Sequence, residues 1–266
     1  MDLQLMGKTA IVTGGSRGIG KAVARQLALE GVDVAVVARS AESLEAAARE
    51  VSQETGRRIV PIAADTGSDE AVRAMVRQAA DAFGHLDILV NCAARPGGQA
   101  PPPKLAEITD ELFWADMNVK VMGYLRCARE VAPFMIRQRW GRIISISGLA
   151  ARSSGSPIGS MRNVAVVAMT KNLADELGPH GINATVVHPG TTRTEKTPSV
   201  VAEQARQLGI SPDDVERRIA EGNAIRKIID AREIADVVTF LASPRSVAIN
   251  GDVIAAGGGV GHAIYY

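Results

Sequence analysis

The sequence has little cysteine, few aromatic residues and no excess of charge of either sign. Its two cysteines, Cys92 and Cys127, lack the spacing of metal ligands or of a redox pair, so we expect reduced, buried thiols, no metal site and a cytoplasmic location. The 30 basic and 29 acidic side chains leave a net charge of +1. This balance argues against a surface that binds nucleic acid and against a polybasic membrane signal.

Long hydrophobic runs are missing as well. No run approaches the roughly 20 apolar residues that cross a bilayer, and Asp2, close before a strand-like segment, argues against a signal peptide. A hydrophobic fraction of 46% with 22% charged residues excludes a disordered chain. Since no linker divides the sequence, we expect residues 1–266 to form a single domain.

Short β-branched runs alternate with longer helical patterns along the whole sequence. The runs are almost continuously apolar, which is typical of strands buried on both faces of a parallel sheet. The predicted strands are Thr9–Thr13, Val32–Ala38, Arg58–Ala63, Asp87–Asn91, Arg142–Ser147, Asn183–His188 and Asp252–Ala255. The predicted helices are Gly18–Glu30, Ala41–Thr55, Asp69–Phe83, Asp110–Gln138, Gly159–Leu177 and Ala231–Leu241. This order predicts a Rossmann-like α/β fold, a doubly wound parallel sheet of about seven strands with helices on both faces.

Two segments interrupt the alternation. Arg95–Pro103 is rich in proline and glycine and is predicted to be a loop. Thr191–Asn223 is a polar, mostly helical insertion after a strand, where α/β folds place substrate lids. We therefore expect a lid over about residues 191–223.

A glycine-rich turn, Thr13–Gly20, follows the first predicted strand and opens the first predicted helix. Glycines allow a tight turn and let backbone N–H groups approach a pyrophosphate, to which the helix N-terminus adds a partial positive charge. The strand–turn–helix context makes a nucleotide site the preferred interpretation. Its predicted contacts are Gly14, Ser16, Arg17, Gly18, Ile19 and Gly20.

Further segments occur in an order that resembles the short-chain dehydrogenase/reductase family. They are Asp65, Asn91-Cys92-Ala93-Ala94, Asn118, Ser145-Ile146-Ser147, Pro189-Gly190 and Asn250-Gly251 with Gly257-Gly258. The resemblance spans nearly the whole chain and implies an NAD(P)-dependent oxidoreductase that acts on a carbonyl or alcohol. It also implies cofactor contacts from Asp65, Thr66, Asn91, Ala93, Pro189, Gly190, Thr192 and Thr194.

The end of the second predicted strand indicates which dinucleotide is bound. A carboxylate there binds the ribose 2′-hydroxyl of NAD, whereas an arginine accommodates the 2′-phosphate of NADP. The strand ends in Ala38, followed by Arg39 and Ser40, and Arg17 adds a second cation from the glycine turn. We therefore expect NADP(H) to be favoured over NAD(H), although both arginines could instead be plain surface residues.

Family members carry a Tyr-x-x-x-Lys motif on the helix after the fifth strand. The tyrosine exchanges a proton with the substrate oxygen, and the lysine lowers its pKa and binds the nicotinamide ribose. Alignment on the segment that ends the predicted helix places Gly159 and Asn163 at these two positions. Gly159 would leave room in the substrate pocket, and Asn163 could hydrogen-bond a ribose hydroxyl without supplying charge.

The other catalytic positions match the family. The resemblance implies that Ser147 polarises a carbonyl and that Asn118 holds a water chain, although either residue could have a purely structural role. His188 is a candidate replacement for the proton donor because an imidazole titrates in a useful range, and packing at a strand end is its alternative role. Tyr265 or Tyr266 could reach the site of a neighbouring subunit. Loss of general acid catalysis costs about 10²–10⁴-fold, so weak activity is expected.

Three functions fit these observations. The preferred one is an NADP-dependent oxidoreductase with a non-standard catalytic site and a small-molecule substrate. The others are a nucleotide-binding enzyme of non-redox chemistry, such as a dehydratase or isomerase, and a catalytically silent NADP-binding protein or partner subunit. Apolar stripes on Asp110–Gln138 and Gly159–Leu177, which pair across two-fold axes in the resembled family, imply a homodimer or homotetramer.

Overall fold

The computed structural model describes residues 1–95, 102–262 and 264. Most of the predicted loop Arg95–Pro103, together with Tyr265 and Tyr266, lies outside the described residues. In the described part of the chain, no helix is long and apolar enough to cross a membrane, and no group of three or more His, Cys, Asp or Glu side chains could hold a metal ion.

A parallel sheet forms the centre of the fold. Its strands are β1 (Thr9–Thr13), β2 (Asp33–Ala38), β3 (Ile59–Ala63), β4 (Ile88–Asn91), β5 (Gly141–Ile146), β6 (Ile182–Pro189) and β9 (Val253–Ala256). Across the residues described, seven strands pair in the order β3-β2-β1-β4-β5-β6-β9. Each of these strands was predicted, and every strand end lies within one residue of its predicted position. The apolar runs located the strands correctly because both sheet faces are covered by helices.

The helices are α1 (Gly18–Leu29), α2 (Ala41–Thr55), α3 (Asp69–Phe83), α4 (Asp110–Met117), α5 (Gly123–Gln138), α6 (Pro157–Leu177), α7 (Thr197–Leu208), α8 (Pro212–Glu221) and α9 (Ala231–Ala242). Local signals set several of their ends: Ser40 and Ser68 cap α2 and α3 through their side-chain oxygens, and Gly56 and Gly84 end them in the left-handed conformation. Helix α6 starts two residues before the predicted Gly159, because Ser156 caps it and Pro157 occupies its first turn.

The prediction of one continuous helix over Asp110–Gln138 was wrong. A π-helical turn over Asn118–Met122 separates α4 from α5, and the Gly123 N–H donates to the Asn118 carbonyl five residues earlier. A Cβ atom on Gly123 would lie 3.1 Å from the Thr66 carbonyl oxygen, so glycine allows this close packing. The wider turn is a frequent feature of functional sites, and here it carries Lys120 into the interior.

The insertion after β6 is mostly helical, as predicted. Helices α7 and α8 enclose a small apolar cluster of Val201, Ala205 and Val215. The sequence pattern did not predict the short parallel pair between β7 (Thr192–Arg193) and β8 (Ile229–Asp230), because strands of two residues leave no periodicity to detect.

Candidate active site

The glycine turn is held tightly against the end of β4. Thr13 Oγ1 accepts hydrogen bonds from the N–H groups of Cys92 at 3.0 Å and Ala93 at 3.2 Å. A Cβ atom on Gly14, which has a φ of +68°, would lie 3.0 Å from the backbone of those residues, and one on Gly20 would lie 2.2 Å from the Gly14 carbonyl oxygen. Only glycine fits at these two positions, so the turn brings bare backbone to the start of α1.

An anionic side chain already occupies the N-terminus of α1. The Gly18 N–H donates to both carboxylate oxygens of Glu195, at 3.0 and 3.1 Å. A Cβ atom on Gly18 would lie 3.5 Å from the Thr194 methyl group, so the start of the lid rests on the turn. The Glu195 carboxylate thus occupies an anion site at the start of α1, and the pyrophosphate of a dinucleotide would bind at the same place. The residues present therefore fit such a group.

The other predicted cofactor contacts lie in the glycine turn and at or after the ends of β2, β3 and β6. Arg17, Arg39 and Ser40 are exposed, and Ser40 caps α2. Asp65 Oδ1 accepts from the Gly67 N–H at 2.9 Å, which shapes the loop after β3, and Thr66 is buried beside it. Ser16 and Ile19 are half-buried in the turn, whereas Pro189 and Gly190 end β6 and Thr192 Oγ1 donates to the Gly190 carbonyl at 3.0 Å.

Asn91 lies at the end of β4 and is fully buried. Its parallel partner on β5 is Ser145. Within the described residues, neither the Asn91 amide nor the Ser145 hydroxyl has a hydrogen-bond partner. Buried polar groups normally have partners, so these two side chains mark the sheet beneath the nucleotide site as polar.

Ser147, Lys120 and Asn163 form a cluster of three side chains just after the end of β5. Ser147 Oγ donates to Asn163, whose backbone carbonyl oxygen lies at 3.0 Å and whose Oδ1 lies at 3.3 Å. Lys120 Nζ donates to the same Oδ1 at 2.9 Å and to the Ser147 carbonyl at 3.0 Å. Asn163 is thus in direct contact with an ammonium group that comes from the π-helical turn.

The surroundings of Lys120 disfavour its charge. The side chain is buried, with the residue 4% exposed, and burial followed by the nearby Arg162 guanidinium lowers the pKa of Lys120 to about 7. Asp116 opposes this shift, but its carboxylate is bound to Arg162 Nη1 at 2.5 and 2.7 Å. Burial also raises the pKa of Cys92 to about 12, so its thiol supplies no counter-charge near neutral pH.

His188 is placed beside the cluster but is held in a neutral state. Its Nδ1 accepts a hydrogen bond from the Gly148 N–H at 3.3 Å. Burial, and then the charges of Arg152 and Lys120, lower the pKa of His188 to about 4. The imidazole therefore orders the loop after β5 near neutral pH.

Asn118 lies in the same π-helical turn as Lys120, and Gly159 lies four residues before Asn163 in α6. Asn118 Nδ2 donates to the Gly67 carbonyl at 3.1 Å and so ties the π-helical turn to the loop after β3. Gly159 is buried in the first turn of α6, and its N–H donates to the Ser156 cap at 3.2 Å. A Cβ atom on Gly159 would lie 2.7 Å from Ser156 Oγ, so any side chain there requires Ser156 to rotate.

The family model described as short chain dehydrogenase matches residues 8–205, which include β1 through β7 and most of α7. The chain belongs to the short-chain dehydrogenase family.

Two solved structures and one curated protein illustrate this membership. The short-chain reductase protein NovJ of Streptomyces niveus is 36% identical over 251 residues, which cover 94% of this chain and 92% of that protein. L-Sorbose reductase of Gluconobacter frateurii, solved with NADPH and L-sorbose, has a TM-score of 0.91 at 29% identity and covers 99% of this chain and 100% of that one. An NAD⁺-bound xylitol dehydrogenase has a TM-score of 0.87 at 27% identity, with coverages of 96% and 100%.

This short-chain dehydrogenase is accordingly an NAD(P)-dependent oxidoreductase that acts on carbonyl or alcohol substrates. The sequence predicted roles for Ser147 and Asn163, which the structure brings together, but gave no role to Lys120, because a lysine was expected only on the helix after β5. A signal was present: Lys120 is a single charge between Val119 and Val121, two residues after the motif asparagine. A charge flanked by apolar residues in a core helix marks a buried, partnered group.

Proposed function

We propose that this protein reduces a carbonyl group to an alcohol and prefers NADPH to NADH. The observation that carries the cofactor preference is the end of β2. There the exposed Arg39 and Ser40 stand where an NAD-binding protein needs a carboxylate, and Arg17 is exposed in the glycine turn. When bound, the nicotinamide supplies a hydride to the substrate carbon.

In this proposal each predicted contact has a distinct task. The backbone N–H groups of the glycine turn bind the pyrophosphate, and Arg17 and Arg39 bind the 2′-phosphate, for which a guanidinium is well suited. Asp65 and Thr66 shape the wall around the adenine, and Thr194 lies over Gly18. Asn163 hydrogen-bonds the nicotinamide ribose, His188 positions the loop after β5, and Ser147 orients the substrate oxygen.

The cofactor preference is tested by the dissociation constants of NADPH and NADH, measured through cofactor fluorescence. The native protein should bind NADPH at least tenfold more tightly, and Arg39→Asp should reverse that order, because the new carboxylate repels a phosphate and accepts from a ribose hydroxyl. Arg49→Asp makes the same charge change farther along α2, at a residue paired with Glu45, and should leave the order unchanged. Equal affinities in the native protein would refute the preference.

A second candidate function is that of a catalytically silent NADP-binding subunit. The observation that favours it is the pair Gly159 and Asn163, which removes the family's proton donor and its lysine from α6. The two functions differ in turnover. Steady NADPH oxidation with the activated ketone 2,2,2-trifluoroacetophenone supports the reductase, whereas tight NADPH binding without turnover supports the silent subunit.

We also propose that the protein forms dimers or tetramers through α4, α5 and α6. These helices and the π-helical turn between α4 and α5 present large apolar side chains to the outside of the chain, unlike a helix that only covers a sheet. The exposed residues are Leu112, Trp114, Met122, Leu125, Met161 and Val164. A closed assembly would bury them.

A further inference from the structure

Among the described residues, few groups in or beside the cluster of Ser147, Lys120 and Asn163 can donate a proton, because α6 carries no tyrosine. Ser147 has a single O–H, which it donates to Asn163. Tyr124 donates its phenol to a β5 carbonyl at 3.0 Å, and burial raises the pKa of Tyr124 well above its usual value. His188 is neutral near neutral pH, so it could donate only by becoming an imidazolate. None of these three groups has a proton to spare.

Lys120 differs from them in its donor count. An ammonium carries three N–H bonds, and two are used, on Asn163 Oδ1 at 2.9 Å and on the Ser147 carbonyl at 3.0 Å. The third remains. Because Lys120 Nζ and Ser147 Oγ contact the same Asn163 oxygen, the ammonium lies beside the hydroxyl that orients the substrate oxygen. Gly159 has no side chain to fill the space where relatives place a phenol.

We propose that Lys120 is the acid–base catalyst of this protein and performs, from the π-helical turn, the proton transfer that other family members perform from α6. The inference rests on the proposed carbonyl reduction. The carbonyl carbon gains a hydride from the reduced nicotinamide, which is thereby oxidised, and the electron pair of the C=O π bond forms an O–H bond with a proton from Nζ. The neutral amine that remains regains a proton from water, and alcohol oxidation runs the same steps backwards.

The electrostatic setting suits this role. The groups that face Lys120 are Arg162 on α6, Asp116 on α4, Cys92 after β4 and His188 on β6. Burial disfavours the ammonium most and Arg162 adds to this effect, Asp116 opposes both, and Cys92 and His188 are uncharged near neutral pH. The ammonium therefore releases its proton far more easily than an exposed lysine, as a general acid should near neutral pH.

The first test is the pH dependence of kcat/KM for NADPH-dependent reduction of 2,2,2-trifluoroacetophenone. In the native protein kcat/KM should be constant at low pH and fall tenfold per pH unit above about 7, as Lys120 loses its proton. Lys120→Met should lower kcat/KM by about 10²-fold or more and remove the alkaline fall. Lys120→Arg keeps a cation that does not titrate in this range, so it too should lack the fall.

Two further variants separate catalysis from folding. Lys120→Ala leaves space for a small amine, and added methylammonium should restore its kcat/KM at least tenfold, which a merely structural lysine would not allow. Lys171→Met removes an exposed lysine of α6 and should keep the native rate and pH profile. A Lys120→Met protein that binds NADPH normally and retains either the native rate or the alkaline fall would overturn the proposal.

Failure of the proposed function has a different signature. If the native protein oxidises no NADPH with this ketone, the proposed reduction of this probe is wrong. The protonation of Lys120 is then followed directly in the NADP⁺-bound protein by ¹³Cε NMR of labelled lysine. The resonance that is missing from Lys120→Met should titrate between about pH 6 and 8. A Lys120 resonance that keeps its ammonium shift up to pH 9 overturns the assignment in either case.

Discussion

Replacement of Lys120 by methionine should change the stability of the protein in a manner that depends on pH. The folded chain holds this amine with a pKa of about 7, against an ordinary value of 10.5. Between these values the unfolded chain binds the proton and the folded chain does not, so native stability rises with pH across that window. Below about pH 7 both states are protonated, and the folded protein bears the full cost of the buried charge.

The size of the effect follows from this interval. Each pH unit corresponds to about 1.4 kcal/mol at 25 °C, and the whole interval to at most about 5 kcal/mol. Lys120→Met lacks the titrating group, so its stability minus that of the native protein should be greatest below pH 7 and fall by about 1.4 kcal/mol per unit above it. Loss of the hydrogen bonds to Asn163 and Ser147 subtracts roughly 1–3 kcal/mol for each acceptor at every pH. The test is therefore the slope of the difference.

Thermal unfolding at fixed protein concentration, followed by circular dichroism between pH 6 and 9, measures this slope. From pH 7 to 9 the difference in Tm should shift by roughly 5–10 °C, since about 1 kcal/mol moves the Tm of a chain of this size by a few degrees. Lys171→Met, which alters an exposed ammonium, is the matched control and should give a difference that does not vary with pH. If the difference in Tm between Lys120→Met and the native protein also does not vary with pH, the assignment of a lowered pKa to Lys120 is refuted.

Two further sets of substitutions test the glycine turn and the cluster, and one measurement on the native protein tests the proposed interface. Glu195→Ala should tighten NADPH binding about two- to fivefold, because it frees the α1 N-terminus from a carboxylate contact worth about 0.3–1 kcal/mol; Glu203→Ala in α7 is the control, and unchanged affinity in both would exclude competition. The double variant Gly159→Tyr, Asn163→Lys should not reduce the ketone faster than the native protein, since the new ammonium at 163 would lie against that of Lys120. Addition of Lys120→Met to this variant should raise the rate at least tenfold above that of the double variant. A gain without Lys120→Met would contradict the contact between Lys120 and residue 163. Light scattering at micromolar concentration should give a dimer or tetramer, and a monomer would exclude the proposed interface.

The sheet and the glycine turn could be predicted from local sequence patterns. Apolar runs such as Thr9–Thr13 are removed from water only when both faces of the strand are covered, and this requirement can be read from the run itself. The requirement for Gly20 is local as well, because a Cβ atom there would lie 2.2 Å from the Gly14 carbonyl oxygen, whereas that for Gly14 comes from Cys92 and Ala93 across the sheet. Alignment of the sequence likewise predicts that Gly159 and Asn163 stand on α6 where the family carries its tyrosine and lysine.

The lysine that we propose as the proton donor could be recognised only in the folded chain. Lys120 meets Asn163 across 43 residues of sequence, and Glu195 reaches Gly18 across 177, so neither contact leaves a periodic or spaced pattern to read. The π-helical turn adds one residue to a helix whose apolar pattern continues on both sides, and that extra residue directs the lysine inwards. Lys120 is the proposed proton donor because the fold places it against Asn163 and Ser147 and because burial lowers its pKa.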